Sequence, residues 1–295
     1  MPKAIERRAH AKINLALHVV GRRADGYHLL DSIAVFADCA DVIVVEPAEE
    51  LSLAVTGPFA SHAPADRSDL AWRAAEALCA HIGCAPTVRI LVEKNIPAGA
   101  GLGGGSADAA AVLLALNEFF AAGIPTAELA RIGLALGADV PMCLSRCALR
   151  ARGVGEDIAP IEGWPPLPLV LAWPGRAVPT AEAFAALAER DNAPLPGPPA
   201  MPPAAPSPSA MSVADVAVWL ARCRNDLEAP ALTIAPEIGD VLAALRGTEG
   251  CLLARMSGSG SACFGLYPDR TAAAAAAGVV SQDRSSWWTM VSEAT

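Results

Sequence analysis

The chain has 295 residues, 53% hydrophobic and 18% charged, which suits one large domain or two modest ones and argues against disorder. Its formal net charge of -9 argues against non-specific binding to nucleic acid, which needs basic surface to displace counterions. A phosphorylated ligand stays open, because backbone N–H groups hold phosphate without formal charge.

The opening MPKAIERRAH has no apolar run of the signal type, and no stretch reaches the roughly 18 uninterrupted apolar residues of a spanning helix. A cytoplasmic protein with neither a membrane nor a nucleic-acid partner is expected. The eight cysteines contain no C-x-x-C and no zinc-ligand spacing with histidine. Most sit in apolar stretches and are read as reduced, packed thiols.

In chain order, positions 11–20 alternate: Ala11, Ile13, Leu15, Leu17 and Val19 on one face, Lys12, Asn14, Ala16 and His18 on the other. That predicts a half-buried strand. Further strands are expected at 41–46, 51–55 and 87–94. Between the last two lies a helix capped by Ser68-Asp69, with its stripe at Leu70, Ala74, Ala77, Leu78 and Ile82. Helices are then expected from about Ser106 to Ala121, and from a Thr126 cap to a Gly137 stop. Strand-like segments follow at 148–152 and 167–173, and helices at 180–190 and 212–224. The latter opens on the capping box Ser212-Val213-Ala214-Asp215. Between them, eight prolines from Pro194 to Pro208 predict an exposed polyproline-like insertion over 193–210. A helix at 237–246, a strand at 251–256, a tight SGSGS loop and a strand at 262–267 come next, and Asp269-Arg270-Thr271 opens an alanine-rich helix. Strands and helices mix without regular βαβ alternation, so the class is α+β rather than doubly wound.

The stretch PAGAGLGGGSADAA from Pro97 leaves a strand and enters a helix, and five of its seven residues from Gly99 to Gly105 are glycine. Glycine admits positive φ and removes the side chains that would keep a phosphate away. The helix start adds the positive end of its dipole. Ser106 could cap that helix or offer its hydroxyl to a phosphate or a metal. No lysine follows the last glycine, so this is not a Walker A loop. Gly99-x-Gly101-x-x-Gly104 lacks the acidic residue a dinucleotide site needs about 20 positions on, and neither H-R-D nor D-F-G occurs.

P-x-G-x-G-L-G-G-G-S-A-D resembles the second motif of the GHMP kinases. AKINLALHVVGRRADGYHLLDSI stands where their first motif stands, and Met256-SGSGSACFG is similar to their third. LGADVP at 136–141 and RNDLE at 224–228 also look like this group. Within it, K-I-N-L-x-L with G-R-R-x-D-G-Y-H-x-L resembles the diphosphocytidyl-methylerythritol kinases rather than the mevalonate or homoserine kinases. The proline-rich insertion is not part of that pattern.

The resemblance implies a two-lobed fold, with an ATP-binding lobe at 1–155, a substrate lobe at 156–295 and the active site in the cleft between them. It implies ATP and Mg²⁺ as cofactors, and phosphorylation of the 2-hydroxyl of diphosphocytidyl-methylerythritol, a step of the non-mevalonate isoprenoid precursor pathway. It makes Lys12 and Asp139 the catalytic pair. Pro97, Gly99, Gly101, Leu102, Gly103, Gly104, Gly105, Ser106 and Ala107 would line the nucleotide phosphates, with Ser106 also a candidate magnesium contact. Asn14, Tyr27, His28 and Phe184 would hold the substrate: Tyr27 and Phe184 on the two faces of the cytosine ring, His28 on its edge. Read alone, Lys12 is a charge on a strand face and Asp139 a turn residue before Val140-Pro141. Another GHMP kinase, or a nucleotide-binding relative without catalysis, remains an alternative here.

Overall fold

Two long strands, β1 (Ile5–Arg22) and β2 (His28–Pro47), open the chain and meet at a turn where Gly26 takes φ 96°. There follow β3 (Ser52–Thr56), α1 (Leu70–Ile82), β4 (Val88–Glu93), α2 (Gly104–Phe119), α3 (Thr126–Leu136) and the short α4 (Val140–Cys143). The chain continues through β5 (Leu149–Gly153), β6 (Asp157–Pro160), β7 (Leu167–Trp173), α5 (Thr180–Ala185), α6 (Val213–Leu220), α7 (Glu228–Ile234) and α8 (Glu237–Arg246). It ends with β8 (Leu253–Met256), β9 (Cys263–Leu266), α9 (Arg270–Asp283) and β10 (Trp288–Ala294). This computed structural model describes residues 3–197 and 211–295.

The chain divides into two compact units, Met1–Lys12 with Cys39–Ala98 and Gly103–Arg146, and Ile13–Asp38 with Gly99–Leu102 and Cys147–Thr295. A single cut near residue 155 does not describe this. Hydrogen bonding gives the reason. The early part of β2 pairs with β5, and Leu17 exchanges backbone bonds with Arg224 and Asp226. Ala100 accepts a bond from the Ala262 N–H, which draws the start of the glycine loop into the second unit.

In the first unit, β4 runs antiparallel to β2 (Val44 opposite Leu91) and parallel to β3 (Ala54 opposite Leu91). The alternation Val88, Ile90, Val92 puts three apolar side chains in the core, as the period of two requires. Helix α1 starts at Asp69, whose carboxylate accepts the Ala71 N–H at 2.7 Å, and stops at left-handed Gly83. It packs on α2, and both helices carry buried alanines, among them Ala74, Ala75, Ala110 and Ala111. Helix α3 does start at Thr126, but Pro125 occupies the cap position, no side chain caps it, and Gly137 is extended at φ 179°.

In the second unit β7 is buried along its whole length, between β10 and β9, with Leu171 opposite both Met290 and Phe264. Strand β8 completes this side, Ala254 opposite Gly265. Val241, Leu242 and Leu245 of α8 and Ala273, Ala276 and Val280 of α9 join Val170 and Ala172 of β7 in one core cluster. The capping box of α6 is present, Asp215 N donating to Ser212 Oγ at 3.2 Å and Ser212 N to the Asp215 carboxylate at 3.0 Å.

Several expectations change. Residues 11–19 are buried on both faces, because Lys12, Asn14 and His18 each have a partner inside. The helix expected at 180–190 stops at Ala185, and the one at 212–224 stops at Leu220. Strands β6 and β10 and helices α4 and α7 were not anticipated. The root of the proline-rich insertion is tied down through Leu195 N to Asp31 and Trp219 Nε1 to Gly197 O, each 2.9 Å; positions 198–210 lie outside the described residues. All eight cysteines are free. Among the described residues no helix is long and apolar enough to cross a membrane.

Candidate active site

In the first unit Lys12, on β1, reaches Asp139, with Nζ 2.7 Å from Oδ2. The lysine side chain is 5% exposed and the carboxylate 41%, so the cation is enclosed and the carboxylate faces outward. Asp139 immediately precedes α4 in helical geometry (φ -83°, ψ -17°), with Pro141 accommodated in the first turn. Read alone, Asp139 is a turn residue before Val140-Pro141; the structure puts it at the start of a short helix. An aspartate at a helix start ordinarily accepts a backbone N–H. Asp139 does not cap, and its carboxylate is turned to Lys12. One turn on, burial and then the Asp139 charge push the Cys143 thiol up to about 12, which leaves it inert as a nucleophile.

Helix α2 starts at Gly104, two residues earlier than expected, behind left-handed Gly103 (φ 66°). Ser106 is therefore inside the first turn and does not cap. A Cβ on Gly103 would sit 3.1 Å from the Lys12 Cβ, so the absence of a side chain at this position lets the loop and Lys12 lie together. Pro97, Leu102 and Ala107 are buried. Gly105 is exposed, and Gly104 and Ser106 are half-buried.

Beneath this end of the loop lies a buried ionic cluster that the sequence reading missed. Lys94 at the end of β4 donates to Asp108 of α2 at 2.6 Å and to Asp41 of β2. Asp41 Oδ1 also accepts the Ile96 N–H at 2.8 Å and that of Asn95. Asp41 and Asp108, each flanked by apolar residues, were the available signal.

In the second unit the other half of the loop meets the third motif. Ser257 Oγ donates to Gly101 O at 3.1 Å and accepts the Asn14 N–H at 3.1 Å. A Cβ on Gly101 would lie 2.5 Å from Ser257 O, so only glycine fits. Asn225, in the RNDLE segment, donates both amide hydrogens to this turn, to Met256 O at 2.9 Å and Gly258 O at 2.8 Å. Glu228 of the same segment accepts the Met256 N–H at 3.0 Å.

The substrate candidates fall into two groups in this unit. His28 stacks on Phe184, centroids 4.9 Å apart, and Phe184 also packs on the core cluster. The two rings are in contact, so no third ring lies between them. Tyr27, next to His28 in sequence, is 65% exposed. His28 Nε2 is buried with no hydrogen-bond partner among the described residues. Burial, then the charges of Arg22 and Arg190, lowers its pKa, so the ring is neutral at pH 7 and carries one donor and one acceptor nitrogen. Thr180 Oγ1 lies 2.9 Å from Ser259 Oγ, joining the start of α5 to the SGSGS loop. Asn14 is the other group, buried and bonded to Ser32.

Residues 69–146 match the GHMP kinases N terminal domain, and residues 214–283 the GHMP kinases C terminal model. A Cereibacter sphaeroides protein curated as 4-diphosphocytidyl-2-C-methyl-D-erythritol kinase is 50% identical over 281 residues, 95% of each chain. A Brucella melitensis protein of the same name is 46% identical over 295 residues, covering 98% of this chain and 95% of its own. A crystal structure of 4-(cytidine 5'-diphospho)-2C-methyl-D-erythritol kinase superposes with a TM-score of 0.78 at 38% identity, covering 99% of this chain and all of the other. With both family models in order and near-complete relatives of one name, the chain belongs to the GHMP kinases, in the group of the 4-diphosphocytidyl-2-C-methyl-D-erythritol kinases.

Proposed function

We propose that the protein transfers the γ-phosphoryl group of ATP to the 2-hydroxyl of 4-diphosphocytidyl-2-C-methyl-D-erythritol, a step of the non-mevalonate isoprenoid precursor pathway. The observation that carries this is the Lys12–Asp139 pair at 2.7 Å beside the glycine loop. Phosphoryl transfer asks a protein for positioning and charge stabilisation, plus a base for the acceptor proton. Asp139 takes that proton through its outward carboxylate. Lys12, bonded to Asp139, places its positive charge where the alkoxide forms and stabilises it. The backbone of Gly99–Ser106 and the α2 N-terminus hold the nucleotide phosphates without a lysine in the loop. Bound with the nucleotide, Mg²⁺ would supply charge neutralisation at the phosphates. Ser106, in the first turn of α2, would offer its hydroxyl to the ion; among the described residues no cluster of three His, Cys, Asp or Glu converges on a metal position. The neutral His28, whose Nε2 has no hydrogen-bond partner among the described residues, suits a cytosine edge, which offers both a donor and an acceptor, while the exposed Tyr27 ring serves as a stacking platform.

ADP release measured with 4-diphosphocytidyl-2-C-methyl-D-erythritol, mevalonate and homoserine in parallel tests this. Release with the first and not with the other two is expected. Equal or greater release with either of the others would overturn the substrate assignment.

A further inference from the structure

Asn14 is 3% exposed, yet only one end of its amide is held. Its Nδ2 donates to Ser32 Oγ at 2.8 Å, and Ser32 Oγ lies 2.7 Å from Ala16 O. A carbonyl can only accept, so the single hydroxyl proton of Ser32 goes to Ala16 O. What Ser32 has left for Asn14 is a lone pair. The atom of Asn14 facing it must then be the NH₂, since a rotated amide would set two acceptors against each other. Proton counting thus fixes an orientation that geometry alone leaves open. Strand pairing supplies the placement: Ser32 lies on β2 opposite Ala151 of β5, and both Ser32 and Asn14 are buried.

The consequence is at the other end. Asn14 Oδ1 is buried, with no hydrogen-bond partner among the described residues. It lies 3.3 Å from where a Cβ would stand on Gly258, a third-motif glycine at φ 57° where a side chain would also press on the Gly101 carbonyl at 2.9 Å, so only glycine leaves the oxygen uncovered on this side. A buried acceptor left unpaired costs free energy, and it rejects any ligand that brings no donor to it. Asn14 is also two positions after Lys12 and so shares its strand face.

We infer that Ser32 is a positioning residue, which holds Asn14 as an acceptor so that Oδ1 receives a hydrogen bond from a hydroxyl of the acceptor alcohol. The inference rests on the proposed function and adds a specificity element to it. Ser32 sets which chemistry Asn14 presents; without its hydroxyl the amide rotates freely and offers NH₂ to the substrate as readily as oxygen.

Three variants test this, Ser32→Ala, Ser32→Val and Ser32→Thr. The last two are isosteric and differ only in the hydroxyl, and Ser32→Ala covers the case in which valine disturbs folding. The first two are expected to lower kcat/KM for 4-diphosphocytidyl-2-C-methyl-D-erythritol about tenfold or more, the usual effect of mispairing a buried group. The KM for ATP should stay unchanged, and Ser32→Thr should restore the wild-type value. Unaltered kcat/KM in both alanine and valine variants, a loss falling on ATP instead, or a threonine variant as poor as valine would overturn the inference. A second readout does not depend on turnover. The Asn14 side-chain NH₂ should exchange slowly with solvent in the wild type and Ser32→Thr, and fast in Ser32→Ala. Slow exchange in all three refutes the positioning role. If the wild type releases no ADP with this substrate the proposed function fails, while the exchange contrast still decides the part played by Ser32.

Discussion

Gly103 shows how one residue couples the phosphate loop to the chemistry. Its φ of 66° disfavours any side chain by about 1–2 kcal/mol, and the added Cβ would press on Lys12 from 3.1 Å. Gly103→Ala is therefore expected to cost only a few degrees of Tm while kcat drops about tenfold or more through displacement of Lys12. Unchanged kcat would separate the loop from the lysine. His18 is a second case. It is buried, its Nε2 accepts the Arg224 N–H at 3.1 Å, and its Nδ1 meets Ala193 O at 2.9 Å. Only the neutral ring protonated on Nδ1 satisfies both. Burial, against smaller opposing effects, puts its pKa below 6.5. Below pH 6.5 the unfolded chain then binds more protons than the folded one, so stability falls as the pH drops and levels off beneath the folded value. His18→Gln should flatten this slope, seen as a smaller shift in urea midpoint between pH 7.5 and 5.5. An equal shift would show that His18 is not the group responsible.

At the scale of elements, β2, β4 and α2 are fastened beneath the loop by Asp41, Lys94 and Asp108. Burial first, and the neighbouring Asp41 charge second, push the Asp108 carboxyl up to about 8 in spite of Lys94. The folded chain therefore keeps a proton there that the unfolded chain loses above its ordinary value of 3.8, and the cluster's contribution weakens as the pH rises from about 4 towards 8. Asp108→Asn, which keeps the shape without the charge, should be nearly neutral at pH 5 and relatively stabilising by pH 8. Lys94→Met leaves Asp41 buried without its cation and should cost about 3–5 kcal/mol. Urea titrations of both variants at the two pH values check this, and equal losses would contradict it. The sequence reading missed this cluster because its members are distant in the chain and no local pattern pairs them. Elements with local signals were legible. Asp69 marked the start of α1, the apolar run of β7 marked a strand, and the capping box of α6 formed as read. Strand β10 follows a polar turn with little alternation, and α7 carries Pro230 in its first turn, so neither stood out.

For the whole molecule, three motifs in order carried the family, but a single cut near residue 155 did not carry the architecture. Backbone bonds from Leu17 and Ala100 into the C-terminal half place pieces of both early motifs in the second unit, and no local periodicity records such long-range pairing. RNDLE was recognisable as a pattern without a role. Its Asn225 and Glu228 prove to fasten the turn that holds Ser257 against Gly101. Lys12 and Asp139 were legible only through the resemblance, since a strand charge and a turn aspartate signal nothing alone. The central claim is that this pair performs the proton transfer that accompanies phosphorylation. Single-turnover rates of Asp139→Asn with saturating ATP and 4-diphosphocytidyl-2-C-methyl-D-erythritol test it most directly. Asparagine keeps the shape and removes the base, so the rate should fall about 10²–10⁴-fold with substrate affinity little changed. Retention of more than about a tenth of the wild-type rate, far less than base removal costs, would contradict the account and leave Asp139 a structural partner of Lys12.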